Sequence, residues 1–198
     1  MKLLWAVVAL ASLTACASRP RAPYVPPDTP VGRLSSVAFL PIFGAPIAQD
    51  AQDRLAATWA GWWRDVYPSA RWQAPTSVGA QLLKSTTVSA WSADERIFSQ
   101  TGLLRPTTIA MLCNQLQVEA LMQVQVNNLQ AGTAQATWLT WPFTSGQPST
   151  AVVAISIIGC ANAEPLWQGS GELTYQASYT QEKMVEYAMG AAFGRLPQ

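Results

Sequence analysis

Ala151-Val152-Val153-Ala154-Ile155-Ser156-Ile157-Ile158 is apolar on both faces of any strand it forms, which predicts the central strand of a sheet that must be covered on both sides. The neighbouring segments supply that sheet. Met122, Val124 and Val126 alternate with Gln123, Gln125 and Asn127, the period of a strand with one wet face. A further strand is expected around Thr133 to Leu139 and another from Glu164 to Tyr175, where Gly169 and Gly171 predict a bulge or a close backbone approach. Between them, Leu139 to Pro148 holds two prolines and a glycine and reads as a loop.

The first half of the chain alternates strand and helix. Ser36 to Ile42 is rich in strand formers and is closed by Phe43-Gly44-Ala45-Pro46. Asp50 can cap a helix in which Leu55, Trp59, Trp62, Trp63 and Val66 share one face, and Tyr67-Pro68 ends it. Ala70 to Gln73 reads as a short second strand. From Pro75 to about Val118 the chain reads as helix in pieces, clearest where Thr107 or Thr108 caps a face of Ile109, Leu112, Cys113 and Leu116. A last helix starts at Ser178 or Thr180, with Gln181 placed for a capping box from Ser178, and turns Val185, Ala188, Met189, Ala192, Phe193 and Leu196 to one side. The order predicts an α/β or α+β fold, a two-layer sandwich. Its sheet is mixed or mostly antiparallel, with four to five strands packed against three to four helices.

The N-terminus has a different character. Lys2 precedes the apolar run Leu3 to Ala11 and then Ser12-Leu13-Thr14-Ala15-Cys16, the charged, apolar and small-residue plan of an export signal. The run is far short of the roughly 20 residues a membrane-spanning helix needs. Leu13-Thr14-Ala15-Cys16 resembles the lipobox of bacterial lipoproteins, which implies cleavage before Cys16 and acyl chains on its sulfur. Residues 1–15 are then the signal peptide. Residues 16–33, with Pro20, Pro23, Pro26, Pro27 and Pro30, form a proline-rich tether reaching about 40 Å if extended, and 34–198 form one globular domain. Ala17 in place of aspartate points, by the same resemblance, to the periplasmic face of the outer membrane. The lipid-bearing Cys16 makes the membrane a partner.

An exported cysteine, the tether, the strand Val37-Ala38-Phe39-Leu40-Pro41, a long helix, strands such as Leu121 to Val126 and the turn-flanked Leu166-Trp167-Gln168-Gly169 together resemble the small periplasmic lipoprotein domains related to the curli-secretion lipoprotein and to the lipoprotein activators of penicillin-binding proteins. The resemblance covers most of 34–196 as an order of elements. It implies a non-catalytic assembly, secretion or activator component.

The side-chain inventory narrows the chemistry. The chain has no histidine, which removes Ser-His-Asp and Cys-His nucleophile pairs and imidazole-ligated zinc. Lys84 and Lys183 remain for a Ser-Lys hydrolase, but nothing around Lys84-Ser85 resembles a nucleophile elbow. Glu95, Glu119, Glu164, Glu172, Glu182 and Glu186 lack metal-loop spacing, and no glycine-rich phosphate cradle is present, so neither metal nor cofactor is expected. Without Lys2 the chain has 11 basic and 11 acidic side chains and no basic stripe, which argues against nucleic acid.

Cys113 and Cys160 either pair as a disulfide, in a compartment where one persists, or remain buried thiols. The nine tryptophans are the remaining signal. Trp59, Trp62 and Trp63 read first as a core face, although Asp50, Asp53 and Asp65 beside them allow a sugar platform. Asp50 and Asp53 are more simply helix-dipole partners, with Arg54 and Arg64 solvated. Trp138, Trp141 and Phe143 flank the loop and read as a contact surface for another envelope protein or a second copy. The expected role is a non-enzymatic envelope interaction component. A carrier of an apolar ligand in a Trp-lined cavity is the competing reading, and a hydrolase without histidine comes third.

Overall fold

Three long strands form an antiparallel meander at the C-terminal end of the domain, and the parallel N-terminal strands dock onto its first member. The computed structural model describes residues 30–44, 47–66, 68–83, 88–101, 103–132, 147–175 and 179–193. A 3-10 turn, Pro30–Arg33, leads to β1 (Ser36–Phe39), α1 (Gln49–Val66), β2 (Arg71–Gln73), α2 (Pro75–Leu83), α3 (Val88–Thr101), α4 (Pro106–Leu116), β3 (Ala120–Gln130), β4 (Ser149–Gly159), β5 (Pro165–Tyr175) and α5 (Gln181–Phe193). The sheet order is β2-β1-β3-β4-β5, with β1 parallel to both its neighbours and β3, β4 and β5 antiparallel. The fold is α+β, with a mixed sheet of five strands.

Two cores form because consecutive crossovers use opposite faces. On one face Val37, Phe39, Met122, Val124, Val153, Ile155, Ile157 and Trp167 pack against Leu55 and Trp59 of α1 and against Met184, Val185, Ala188, Met189 and Ala192 of α5. Phe39 and Trp59 stack with centroids 4.6 Å apart, an arrangement adding about 0.5–1.5 kcal/mol to their burial. On the other face Ala38, Leu40, Leu121 and Ile158 meet Val78, Leu82, Phe98, Ile109, Leu112 and Leu116 of α2, α3 and α4. The sheet is therefore two-layered over its β4–β5 side and gains a third layer over β1 and the start of β3. Among the described residues the α-helices number five, rather than three to four, because the stretch after Pro75 divides into three.

Other expectations shift for physical reasons. β4 is interior, but the middle place belongs to β3, since β1 and β2 add to its far side. Gln123, expected on a wet face, is buried because Leu121 on the same side belongs to the second core. The register steps from Val126 opposite Val153 to Asn128 opposite Val152, so Asn127 is a bulge that returns Leu129 to the covered face. Gly171 is a close approach: a Cβ there would overlap the backbone carbonyl of Ala188 on α5. Thr180 caps α5, its hydroxyl accepting from the Lys183 N–H at 3.3 Å. Ser178 and the strand expected over 133–139 lie outside the described residues.

The cap of α4 comes from elsewhere than Thr107 or Thr108. Arg105 takes the cap position without a side-chain cap hydrogen bond, Pro106 opens the helix, and the carboxylate of Asp94 on α3 meets the Arg105 side chain. Asp94 is 1% exposed and forms an ion pair with the Arg105 guanidinium, with the Thr108 hydroxyl and the Arg105 N–H also turned to it. Burial pushes the Asp94 carboxyl up, but the hydrogen bonds from Arg105 and Thr108 and the guanidinium charge outweigh it and hold the group below the usual aspartate value of 3.8. A depressed pKa contributes stability that is present above 3.8 and lost as pH falls through the folded value. Asp94→Asn should cost about 2–3 kcal/mol at neutral pH, the worth of hydrogen bonds to a charged group, and should flatten the loss of stability below that pH. Urea midpoints measured from pH 7 to pH 3 check both effects.

Candidate functional site

The residues read as site candidates separate into three groups. Cys16, Trp138, Trp141 and Phe143 lie outside the described residues. Cys113 on α4 and Cys160 in the turn after β4 are joined, their Cα atoms 5.7 Å apart, which ties the third layer to the end of the sheet. Trp59 is core, and Trp62 is half-buried with its ring over Gly190 of α5. The side chain of Trp63 lies outside the described residues.

Of the residues of the sugar-platform reading, Asp50 is engaged in an ion pair, and the side chains of Trp63 and Asp65 lie outside the described residues. Arg54, expected to be solvated, donates to Asp50 at 2.9 Å and, through Nε and Nη2, to both oxygens of Glu182 at 2.8 and 2.7 Å. Arg54 thereby holds the carboxyls of both Asp50 and Glu182 below the usual range and links α1 to α5. Arg64 donates to the Ala60 carbonyl in its own helix at 3.0 Å.

The exposed aromatic residues that the structure does bring together are tyrosines, which sequence reading passed over. Tyr175 ends β5, Tyr179 follows it and Tyr187 stands on α5. Their ring centroids are 5.2 and 5.6 Å apart in sequence order. Tyr175 and Tyr187 remain 50% and 47% exposed. Desolvation, then Tyr175 and Tyr187 nearby, raise the Tyr179 hydroxyl above its ordinary value. Lys183 caps the group, its ammonium 5.8 Å from the Tyr187 centroid and 2.6 Å from Glu186. The available signal was Tyr187 standing off the Val185–Ala188–Met189 face, an aromatic residue where a polar one suffices.

The surroundings of this cluster matter. Tyr175 pairs across the sheet with Ser149, whose hydroxyl accepts from the Gly132 N–H at 3.0 Å, and Gln130 donates to Gln147 at 3.0 Å. Gly132 and Gln147, the described residues on either side of the segment 133–146, thus lie at the same end of the sheet as Tyr175. Residues 30–35, the first described ones, lie at the opposite strand ends, where Glu119 accepts from the Ser35 N–H at 2.8 Å and Val31 is buried in the first core. Eleven-residue strands put about 35 Å between the two ends.

Cavities and charged clusters offer less. A shallow apolar groove of about 270 Å³ runs along α2, lined by Pro41, Pro75, Thr76, Gly79, Ala80 and Leu83, just below the roughly 300–1,000 Å³ of small-molecule sites. Among the described residues no group of three or more Cys, Asp or Glu is placed to hold a metal ion, and no helix is long and apolar enough to cross a membrane.

Comparison with solved structures gives distant matches. The chain is similar to PelC from Paraburkholderia phytofirmans, solved as a dodecamer, at 13% identity over 90% of this chain and 95% of that one, with a TM-score of 0.47. It is similar to the lipoprotein GNA1162 from Neisseria meningitidis at 14% identity over 79% and 95% of the two chains, with a TM-score of 0.42. Protein XCC0632 from Xanthomonas campestris matches at 14% identity over 87% and 86%, with a TM-score of 0.27. No family model and no curated protein matches the chain, so its function has to be read from its own residues.

Proposed function

We propose that this chain is a lipid-anchored, non-catalytic interaction component of the bacterial cell envelope. Residues 1–15 export it, Cys16 carries the lipid, and the periplasmic face of the outer membrane is its location. Its aromatic end, Tyr175, Tyr179 and Tyr187 together with Trp138, Trp141 and Phe143 of the neighbouring segment, contacts another envelope protein. The observation that carries this reading is the tyrosine cluster: three touching rings, two of them half exposed, at the end of the domain away from the tether. Rigid aromatic side chains left in water are the residue type that most often dominates a protein contact.

Two variants test the two halves of the reading. Cys16→Ser should remove lipid labelling and release the protein from the membrane fraction or leave it unprocessed; normal labelling and retention would refute the anchor. Tyr175→Ala with Tyr187→Ala should leave the melting temperature nearly unchanged while weakening capture of envelope proteins crosslinked in intact cells, since contact aromatics often carry about 2 kcal/mol each. A large fall in melting temperature with capture intact would make the cluster part of the core instead.

A further inference from the structure

β5 ends the sheet, and among the described residues no strand lies beyond it. β5 is eleven residues long, against three for β2 at the other side, and among the described residues the 3-10 turn Pro30–Arg33 and α5 join β4 in packing on it. Exposed edges of that length are templates for another strand unless lysine, a mid-strand proline or an inward charge blunts them. β5 has no lysine, its proline is its first residue, its bulge at Leu166 lies before the stretch from Trp167 to Leu173, and its one charge, Glu172, is on the exposed row with Gln168, Ser170 and Thr174.

The strand is also complementary to itself read in the opposite direction. Antiparallel pairing about Ser170 sets Ser170 opposite the same residue of a second copy, Gln168 opposite Glu172, Gly169 opposite Gly171 and Trp167 opposite Leu173. An amide then meets a carboxylate, a hydroxyl meets a hydroxyl, and no like charges face each other.

The helical layer fits the same arrangement. α5 packs on both β4 and β5. Strands about 4.8 Å apart would then place the two α5 axes about 10 Å from each other, the distance at which helices pack. One flank of α5 is already taken by α1 through the Arg54–Glu182 ion pair and Trp62 over Gly190. The opposite flank presents Tyr187 and, one turn on, Ala191.

We propose that β5 pairs antiparallel with β5 of a second copy of this chain, giving a ten-stranded sheet about a two-fold axis at Ser170. The tether roots then lie at opposite ends of the paired strands, roughly 35 Å apart, and a tether reaching about 40 Å lets both copies hold one membrane. The pairing goes beyond the anchored-interaction reading and is testable without the anchor.

The test uses the full chain purified in mild detergent, with Ser170→Cys and Thr174→Cys made separately and oxidised with copper phenanthroline. Opposed residues of an antiparallel pair sit about 4.5–5.5 Å apart at Cα, within disulfide reach, whereas the two Thr174 positions would be about 27 Å apart. Ser170→Cys should give at least about tenfold more covalent dimer than Thr174→Cys on a non-reducing gel. Ser170→Lys, which sets two ammonium groups face to face, should turn a dimer into a monomer by light scattering with its far-ultraviolet circular dichroism unchanged. No dimer at position 170, equal dimer at both positions, a conjugate with a different protein, or a monomeric unmodified chain would overturn the pairing.

Discussion

A methyl group at Gly171 should cost the domain about 3 kcal/mol, and a valine there should leave little folded protein. The Cβ would occupy the place of the Ala188 carbonyl oxygen, with the Ala192 backbone nitrogen at 2.9 Å, so the obstacle is helix backbone and not a side chain able to turn away. Relief requires α5 to lift from β5, which opens the contacts of Met184, Val185, Ala188, Met189 and Ala192. Restricting the unfolded chain by Gly→Ala returns about 0.4–1 kcal/mol, too little to reverse the sign. For a domain of this size the net loss is a fall of roughly 6–12 °C in melting temperature. Gly61→Ala supplies the control, because nothing lies within 4 Å of its Cβ on α1. That variant should gain up to about 1 kcal/mol from helix propensity. Thermal melts followed by circular dichroism decide the matter: equal effects at both positions would mean that β5 and α5 are not in this close contact.

Cutting the Cys113–Cys160 link should cost about 4 kcal/mol, the chain-entropy value for residues 47 apart in sequence. The expected loss is local in character. The link holds α4, in the second core, to the turn after β4, so Cys113→Ala with Cys160→Ala should speed amide exchange in α2, α3 and α4 more than in β3 to β5. A reductant should lower the urea midpoint of the unmodified chain and leave that of the double variant where it is. A midpoint insensitive to reductant in both would mean that the two thiols are not joined.

Local patterns were legible where one element's own residues carried them. The α1 face, the alternation at Met122 to Val126, the apolar run of β4 and the spaced glycines of β5 each announce a partner surface from neighbouring positions alone. What escaped depends on residues far apart. Asp94 looks like one more polar residue in a polar stretch until α3 and α4 are brought together, when it pairs with Arg105, eleven positions on and just before α4. The tyrosines belong to three different contexts, a strand end, a connection and a helix flank, and no periodicity links them. The middle position in the sheet was assigned to β4 on hydrophobicity, yet strand order follows the crossovers, and both crossovers place their strands beyond β3. Trp138, Trp141 and Phe143 stay a sequence expectation, since their segment lies outside the described residues.

The strand order also dictates a timetable. β1 and β2 are four and three residues long, and β1 finds its second partner only at Ala120 to Met122, more than eighty positions downstream. The meander and α5, by contrast, close within the last eighty residues and bring most of the first core with them. Loop closure is costly before distant contacts repay it, so the C-terminal part is the natural nucleus. A chain emerging N-terminus first therefore has no completed sheet to fold onto until its final third is free. The early strands have only each other until then, and the protein stays threadable for as long as its own tail is held back.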